Sequence, residues 1–254
     1  WRLLLLLSIF LSVVGFLRTQ FYLDYVGSAA AEMEYRVPSF VGDPKIAFLF
    51  LTRRDLPLDF LWDSFFENVE TTHFSVYIHS EPGFSFNETT TRTKLFHDRQ
   101  LSDSIKVSWG EASMIEAERL LFREALRDPA NQRFILLSDS CIPLYNFSYI
   151  YSYLIMRSPK SFVDSFTVKK DSEYNPLMSP VISKKNWMKG SQWVALVRKH
   201  AEVVVDDEIV FPLFQKFCKR RPAVVASLGR KNDILQKQHN CIPDEHYVQT
   251  LLAV

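Results

Sequence analysis

The chain has 254 residues, with 30 basic and 29 acidic side chains and a formal net charge of +1. That balance leaves no polybasic footprint for nucleic acid, and three cysteines are too few for a disulfide scaffold. With 21 phenylalanines and 14% aromatic residues, the sequence can fill a large core and still leave rings for stacking against a sugar.

The first element is an apolar run, Leu3–Leu17, between Arg2 and Arg18. As a helix it would span roughly 22 Å, short of a hydrocarbon core of ~30 Å, but a chain that starts at tryptophan reads as lacking its true beginning. The run has no polar face to turn outward, which argues against a buried core helix. The small residues Ala29–Ala31 lie well past the run, with Arg18 and Asp24 between, where a peptidase site should follow closely. The expectation is an uncleaved transmembrane signal-anchor over 1–18, a stalk over 19–44 and a luminal domain over 45–254, with a cleaved signal as the rival.

The domain opens on a buried strand, Lys45–Leu51, a continuous apolar run of strand length. A helix follows from Pro57 to about Val69, then strands at Phe74–His79 and Ile105–Ser108. Ser113, with Glu116 three residues on, reads as a capping box for a helix to Leu126. Met114, Ala117, Leu121 and Ala125 form its apolar stripe. Arg133–Ser138 reads as a strand, Tyr145–Met156 as a helix, and Ser161–Ser165 and Gln192–Val197 as strands. Helices are expected at Lys199–Val205, Ile209–Phe217 and Asp244–Ala253. Strands alternating with helices mean right-handed βαβ units and a mostly parallel sheet. Ligands of such sheets sit at the carboxyl ends of the strands, here the loops after Leu51, His79 and Ser138.

Those loops narrow the chemistry. Thr52-Arg53-Arg54-Asp55 lacks the glycines of a dinucleotide or phosphate loop. Glu81 follows the second strand, where an acid could meet a ribose or base. Asp139 follows the strand ending at Ser138, where many sugar-nucleotide transferases carry Asp-x-Asp for a metal, but the second acid is replaced in Asp139-Ser140-Cys141. No His or Cys set has zinc spacing, so no metal is expected. Asp206-Asp207-Glu208 reads as a helix cap. Pro243-Asp244-Glu245 puts two carboxylates at a helix start. Cys218 and Cys241 flank a polar connection and are the expected disulfide, with Cys141 free; Asn87 and Asn146 stand in glycosylation sequons.

Three segments together resemble the plant branch of the core-2/I-branching enzymes, the β-1,6-N-acetylglucosaminyltransferases of glycosyltransferase family 14. They are Trp109–Met114, Leu137–Phe147, and the stretch from Trp187–Trp193 through Val203–Glu208 to Pro243–Glu245. The resemblance implies a GT-A-like α/β domain in a single-pass type II Golgi membrane enzyme. It further implies inverting transfer of a sugar from a UDP-sugar to a hydroxyl of a glycoprotein or cell-wall glycan, without metal or other cofactor. Glu245 then takes the acceptor proton, Glu81 and Asp139 lie on the donor side, and Gly190, Ser191, Gln192 and Trp193 line the sugars. In that family basic residues after the last helix neutralise the diphosphate. They would fall beyond Val254, so the chain reads as a fragment; a non-catalytic luminal glycan-binding or scaffolding protein is the alternative. A glycoside hydrolase would need a second carboxylate about 5–10 Å from Glu245.

Overall fold

The apolar run after Lys45 becomes the central strand β1 (Lys45–Leu51), buried along its length because both faces of the sheet are covered. The computed structural model describes residues 40–168, 173–221 and 239–254; the expected anchor and most of the stalk lie outside them. Among the described residues no helix is long and apolar enough to cross a membrane. Residues 42–254 form one compact unit.

β1 pairs in parallel with β2 (Phe74–His79) on one side and β3 (Asn131–Ser138) on the other. A two-stranded antiparallel ribbon, β4 (Phe166–Thr167) with β5 (Met188–Lys189), precedes the short β6 (Ala195–Val197). β6 joins β3 antiparallel, giving the order β2-β1-β3-β6. This mixed α/β arrangement with a mostly parallel central sheet fits a GT-A-like domain.

Alternation along β1 divides the core. Ile46, Phe48 and Phe50 pack beneath helix α1 (Asp59–Phe66) and the start of α3 (Phe147–Tyr151). Ala47, Leu49 and Leu51 pack beneath α2 (Ser113–Leu126), α4 (Arg198–Asp206) and α5 (Val210–Phe217), with α6 (Tyr247–Leu251) closing that side.

Several expected elements are displaced, each for a local reason. Residues 105–108 form no strand: the Ile105 amide donates to His79 Nε2 at 3.0 Å, and Gln100 pairs with Ile78 instead. Residues 161–165 hold one bridge, Phe162 to Ala195. The helix expected over Tyr145–Met156 widens after α3 into a π-helical turn, Ser152–Arg157. There the buried Arg133 guanidinium donates to the carbonyls of Leu154, at 2.6 Å, and Ser158, drawing them out of the α pattern. Ser113 is not a cap but the first helical residue, and its hydroxyl accepts from the Ser108 amide at 2.9 Å. The helix expected over Asp244–Ala253 is broken at His246 into a 3₁₀ turn, Pro243–Glu245, and α6. The Glu245 carbonyl is taken by the Gly190 amide at 2.9 Å. With so short a turn, no helix-dipole argument supports Glu245.

Candidate functional site

Because β1, β2 and β3 run parallel, their carboxyl ends and following loops gather on one rim. A cavity of about 790 Å³ lies over them. Thr52, Arg53 and Arg54 enter it from the loop after β1, His79, Ser80 and Glu81 from the end of β2, and Asp139 from the end of β3. Lys106 and Trp109 close it from the segment before α2, and Gln192 and Trp193 from the segment before β6.

Asp139 is 12% exposed and accepts a hydrogen bond from Arg53 Nε at 2.9 Å. The lone acid after β3 is thus paired with an arginine of the neighbouring loop. That hydrogen bond, with the Asp139 charge, also raises the Arg53 pKa. Among the described residues no group of three or more His, Cys, Asp or Glu side chains is placed to hold a metal ion. His79 is 1% exposed, and burial pushes its pKa down to about 4, so Nε2 is free to accept from Ile105 at neutral pH.

Trp109 is 58% exposed yet held. The Arg220 guanidinium lies over its ring, 4.0 Å from the centroid, and the Arg220 amide donates to the Gly110 carbonyl at 2.7 Å. Gly110 has φ +77°, and a Cβ there would meet Arg220 Cβ at 2.6 Å. Lys219 pairs with Glu111 at 3.6 Å, and Cys218 is bonded to Cys241 with Cα atoms 5.1 Å apart. Cys141 is free. The Trp-Gly-Glu motif is therefore docked on the disulfide-bearing segment.

The 190–193 segment is tied to the end of the chain. A Cβ on Gly190 would lie 1.8 Å from the Asp164 carbonyl oxygen, so glycine alone fits. Gln249 Nε2 donates to the Ser191 carbonyl at 2.6 Å. Gln192 Nε2 donates to Glu118 Oε1 at 3.1 Å. Glu118 is 2% exposed on α2; burial raises its pKa well above the ordinary 4.5, and the Asp244 charge adds to that. Asp244 is also 2% exposed, its Oδ1 has no hydrogen-bond partner among the described residues, and burial pushes its pKa up to about 6.

Glu245 stands beside the cavity rather than in its wall. Its carboxylate, 36% exposed, meets Lys189 at 3.2 Å, and Lys189 also meets Glu173 at 3.2 Å. Burial lowers the Lys189 pKa, but the two carboxylates outweigh it and the net shift is upward. Beneath them His246 is fully buried, stacked on Trp187 and bonded through Nδ1 to the Met188 carbonyl at 2.7 Å.

Of the expected sugar-site residues, Glu81, Asp139, Gln192 and Trp193 line the cavity, while Gly190 and Ser191 precede them in the chain and do not line it. Asp207 caps α5, accepting from the amides of Ile209, Val210 and Phe211. Asn87 and Asn146 are both exposed, and Asn146 also caps α3 through the Tyr149 amide at 2.9 Å. Sequence reasoning missed Arg53, Lys189 and Glu118. For Glu118 a signal was present: it sits four residues after Met114 and three before Leu121, a carboxylate on the apolar stripe of its helix.

Residues 46–254 match the sequence profile of the core-2/I-branching enzymes. The chain belongs to that family. A relative described as Glycosyltransferase BC10, from rice (Oryza sativa subsp. japonica), is 54% identical over 231 residues, covering 90% of this chain and 57% of the relative. The chain thus spans little more than half the length of that protein.

Proposed function

We propose that the protein is a glycosyltransferase that moves a sugar from a UDP-sugar to a glycan hydroxyl with inversion, without a divalent metal. We also read it as a single-pass type II Golgi membrane protein with this domain in the lumen. The observation that carries the chemistry is the cavity over the strand ends, where Asp139 is committed to Arg53 and basic side chains take the place of an acidic pair. Arg54 and Lys106 offer positive charge to the departing diphosphate, while Trp109 and Trp193 offer aromatic faces to base and sugar. The disulfide and the two exposed sequons suit an oxidising, glycosylating compartment.

In the proposed reaction an acceptor hydroxyl oxygen attacks the anomeric carbon as the bond to the diphosphate breaks, and Glu245 receives the hydroxyl proton. Lys189 retains Glu173 as a second counter-ion at 3.2 Å, so its charge stays paired when Glu245 is neutralised. The glycan-binding or scaffolding alternative would keep the cavity and lack turnover. Incubating the purified protein with UDP-sugars and glycan acceptors, with and without chelator, separates these readings. Chelator-resistant transfer with an inverted anomeric configuration is expected; a retained configuration, a strict metal requirement or no transfer would overturn the proposal.

A further inference from the structure

Glu118 is an acid where the fold asks for a hydrophobe. Its neighbours on the same stripe of α2, Ile115, Leu121 and Phe122, are fully buried core residues, and an acid buried among them costs free energy unless it is neutral and hydrogen-bonded. Burial, with the Asp244 charge, pushes its pKa well above the ordinary 4.5 and so favours the neutral form, and its Oε1 accepts from Gln192 Nε2 at 3.1 Å. Gln192 in turn lines the cavity, and Asp244 immediately precedes Glu245. Glu118 thus holds a side chain of the cavity wall, and its helix packs against the Pro243–Glu245 turn that bears the base.

We propose that Glu118 is a positioning residue for sugar transfer: its carboxyl group clamps the Gln192 carboxamide into the cavity wall and registers that wall against the Asp244–Glu245 turn. The inference rests on the glycosyltransferase reading. Other ties reach the same segment through backbone atoms, Gly190 to the Glu245 carbonyl and Ser191 to Gln249. Those ties fix where the chain runs. The Glu118 contact fixes the side chain that faces the ligand, so the orientation of Gln192 depends on it.

The test compares three variants in the full chain. Glu118→Gln keeps an oxygen that accepts from Gln192 and adds no charge. Glu118→Met keeps the length and removes the acceptor, leaving the Gln192 donor unpaired. Gln192→Ala removes the other partner. The expected result is a KM for the UDP-sugar raised roughly tenfold in Glu118→Met and Gln192→Ala, as loss of one hydrogen bond to a fixed group implies. Glu118→Gln should stay within twofold of the parent, and the double variant Glu118→Met/Gln192→Ala should be no worse than either single one. A purely structural role would lower the unfolding midpoint without this pattern in KM. Unchanged KM in Gln192→Ala overturns the inference even if Glu118→Met fails to fold, as does Glu118→Gln impaired as badly as Glu118→Met. If the parent protein transfers no sugar, the functional reading itself has failed and the positioning role falls with it.

Discussion

The two faces of the central sheet are built on opposite principles. Beneath α1 the packing is ring on ring: Phe48 meets Trp62, Phe65, Phe66 and Phe147 at centroid distances of 5.0–6.4 Å. The buried acid there, Asp59, is answered by the Thr91 hydroxyl at 2.9 Å and the Arg92 amide at 2.7 Å. Beneath α2 and α6 the core instead holds Glu118, Arg119, Asp244, His246 and Gln249. Some of these are satisfied: Arg119 donates to Tyr247 Oη at 2.9 Å, and that hydroxyl donates to Asp207 at 2.9 Å. Others are not, since Asp244 Oδ1 and Gln249 Oε1 have no hydrogen-bond partner among the described residues. A fold tolerates such groups where stability is exchanged for function. The aromatic face is scaffold, and under the proposed function the polar face carries the site.

Breaking the aromatic face should therefore cost stability and spare chemistry. Phe48→Ala is expected to lower unfolding stability by about 3–5 kcal/mol while leaving the KM of the folded fraction unchanged; a changed KM would mean the faces are coupled. On the polar face, Cys218→Ser opens the disulfide between residues 23 apart in sequence and should cost about 3 kcal/mol. It should also release Arg220 from Trp109, read as a change in tryptophan fluorescence, and an unchanged spectrum would count against that docking.

The smallest expected effect is on pH dependence, and here two buried groups oppose each other. Asp244 titrates at about 6 in the folded chain against an ordinary 3.8. The folded state therefore binds its proton more tightly, and stability falls as pH rises from about 4 to about 6, by at most about 3 kcal/mol. His79 titrates at about 4 against an ordinary 6.5, so its neutral form stabilises the fold above pH 6.5 and that contribution is lost as pH falls toward 4, again by at most about 3 kcal/mol. Taken as a difference from the parent, the denaturant midpoint between pH 4 and 7 should fall on acidification in Asp244→Asn and rise on acidification in His79→Gln. Parallel profiles in the two variants would contradict the assignment.

What could be read beforehand follows from the same contrast. β1 and β2 begin and end where the sequence placed them, β1 as a continuous apolar run buried along nearly its whole length and β2 as a strand that alternates buried and half-buried residues up to Ile78. β3 begins earlier than its apolar run, at Asn131, whose side chain is buried against the Ala125 carbonyl and Tyr77 hydroxyl. The cavity residues Glu81 and Asp139 were legible from the rule that parallel strands deliver ligand loops at one rim. The resemblance supplied Gln192 and Trp193. The contacts that orient them were not legible: Arg53 reaches Asp139 from 86 residues away and Gln192 reaches Glu118 across 74. Nor could periodicity reveal that the last helix would break at His246, since the bonds that hold the break come from a distant segment: the Met188 carbonyl meets His246 Nδ1, and the Gly190 amide donates to the Glu245 carbonyl.

The most direct test of the polar face as the seat of the chemistry is turnover by Glu245→Gln, measured with a UDP-sugar and a glycan acceptor in the presence of chelator, alongside UDP affinity. The glutamine keeps the shape of Glu245 and cannot take the proton. Turnover should fall by roughly 10²–10⁴-fold with UDP affinity unchanged, since the base meets the acceptor and not the diphosphate. Turnover retained in Glu245→Gln, or a parent enzyme silenced by the chelator, would contradict it.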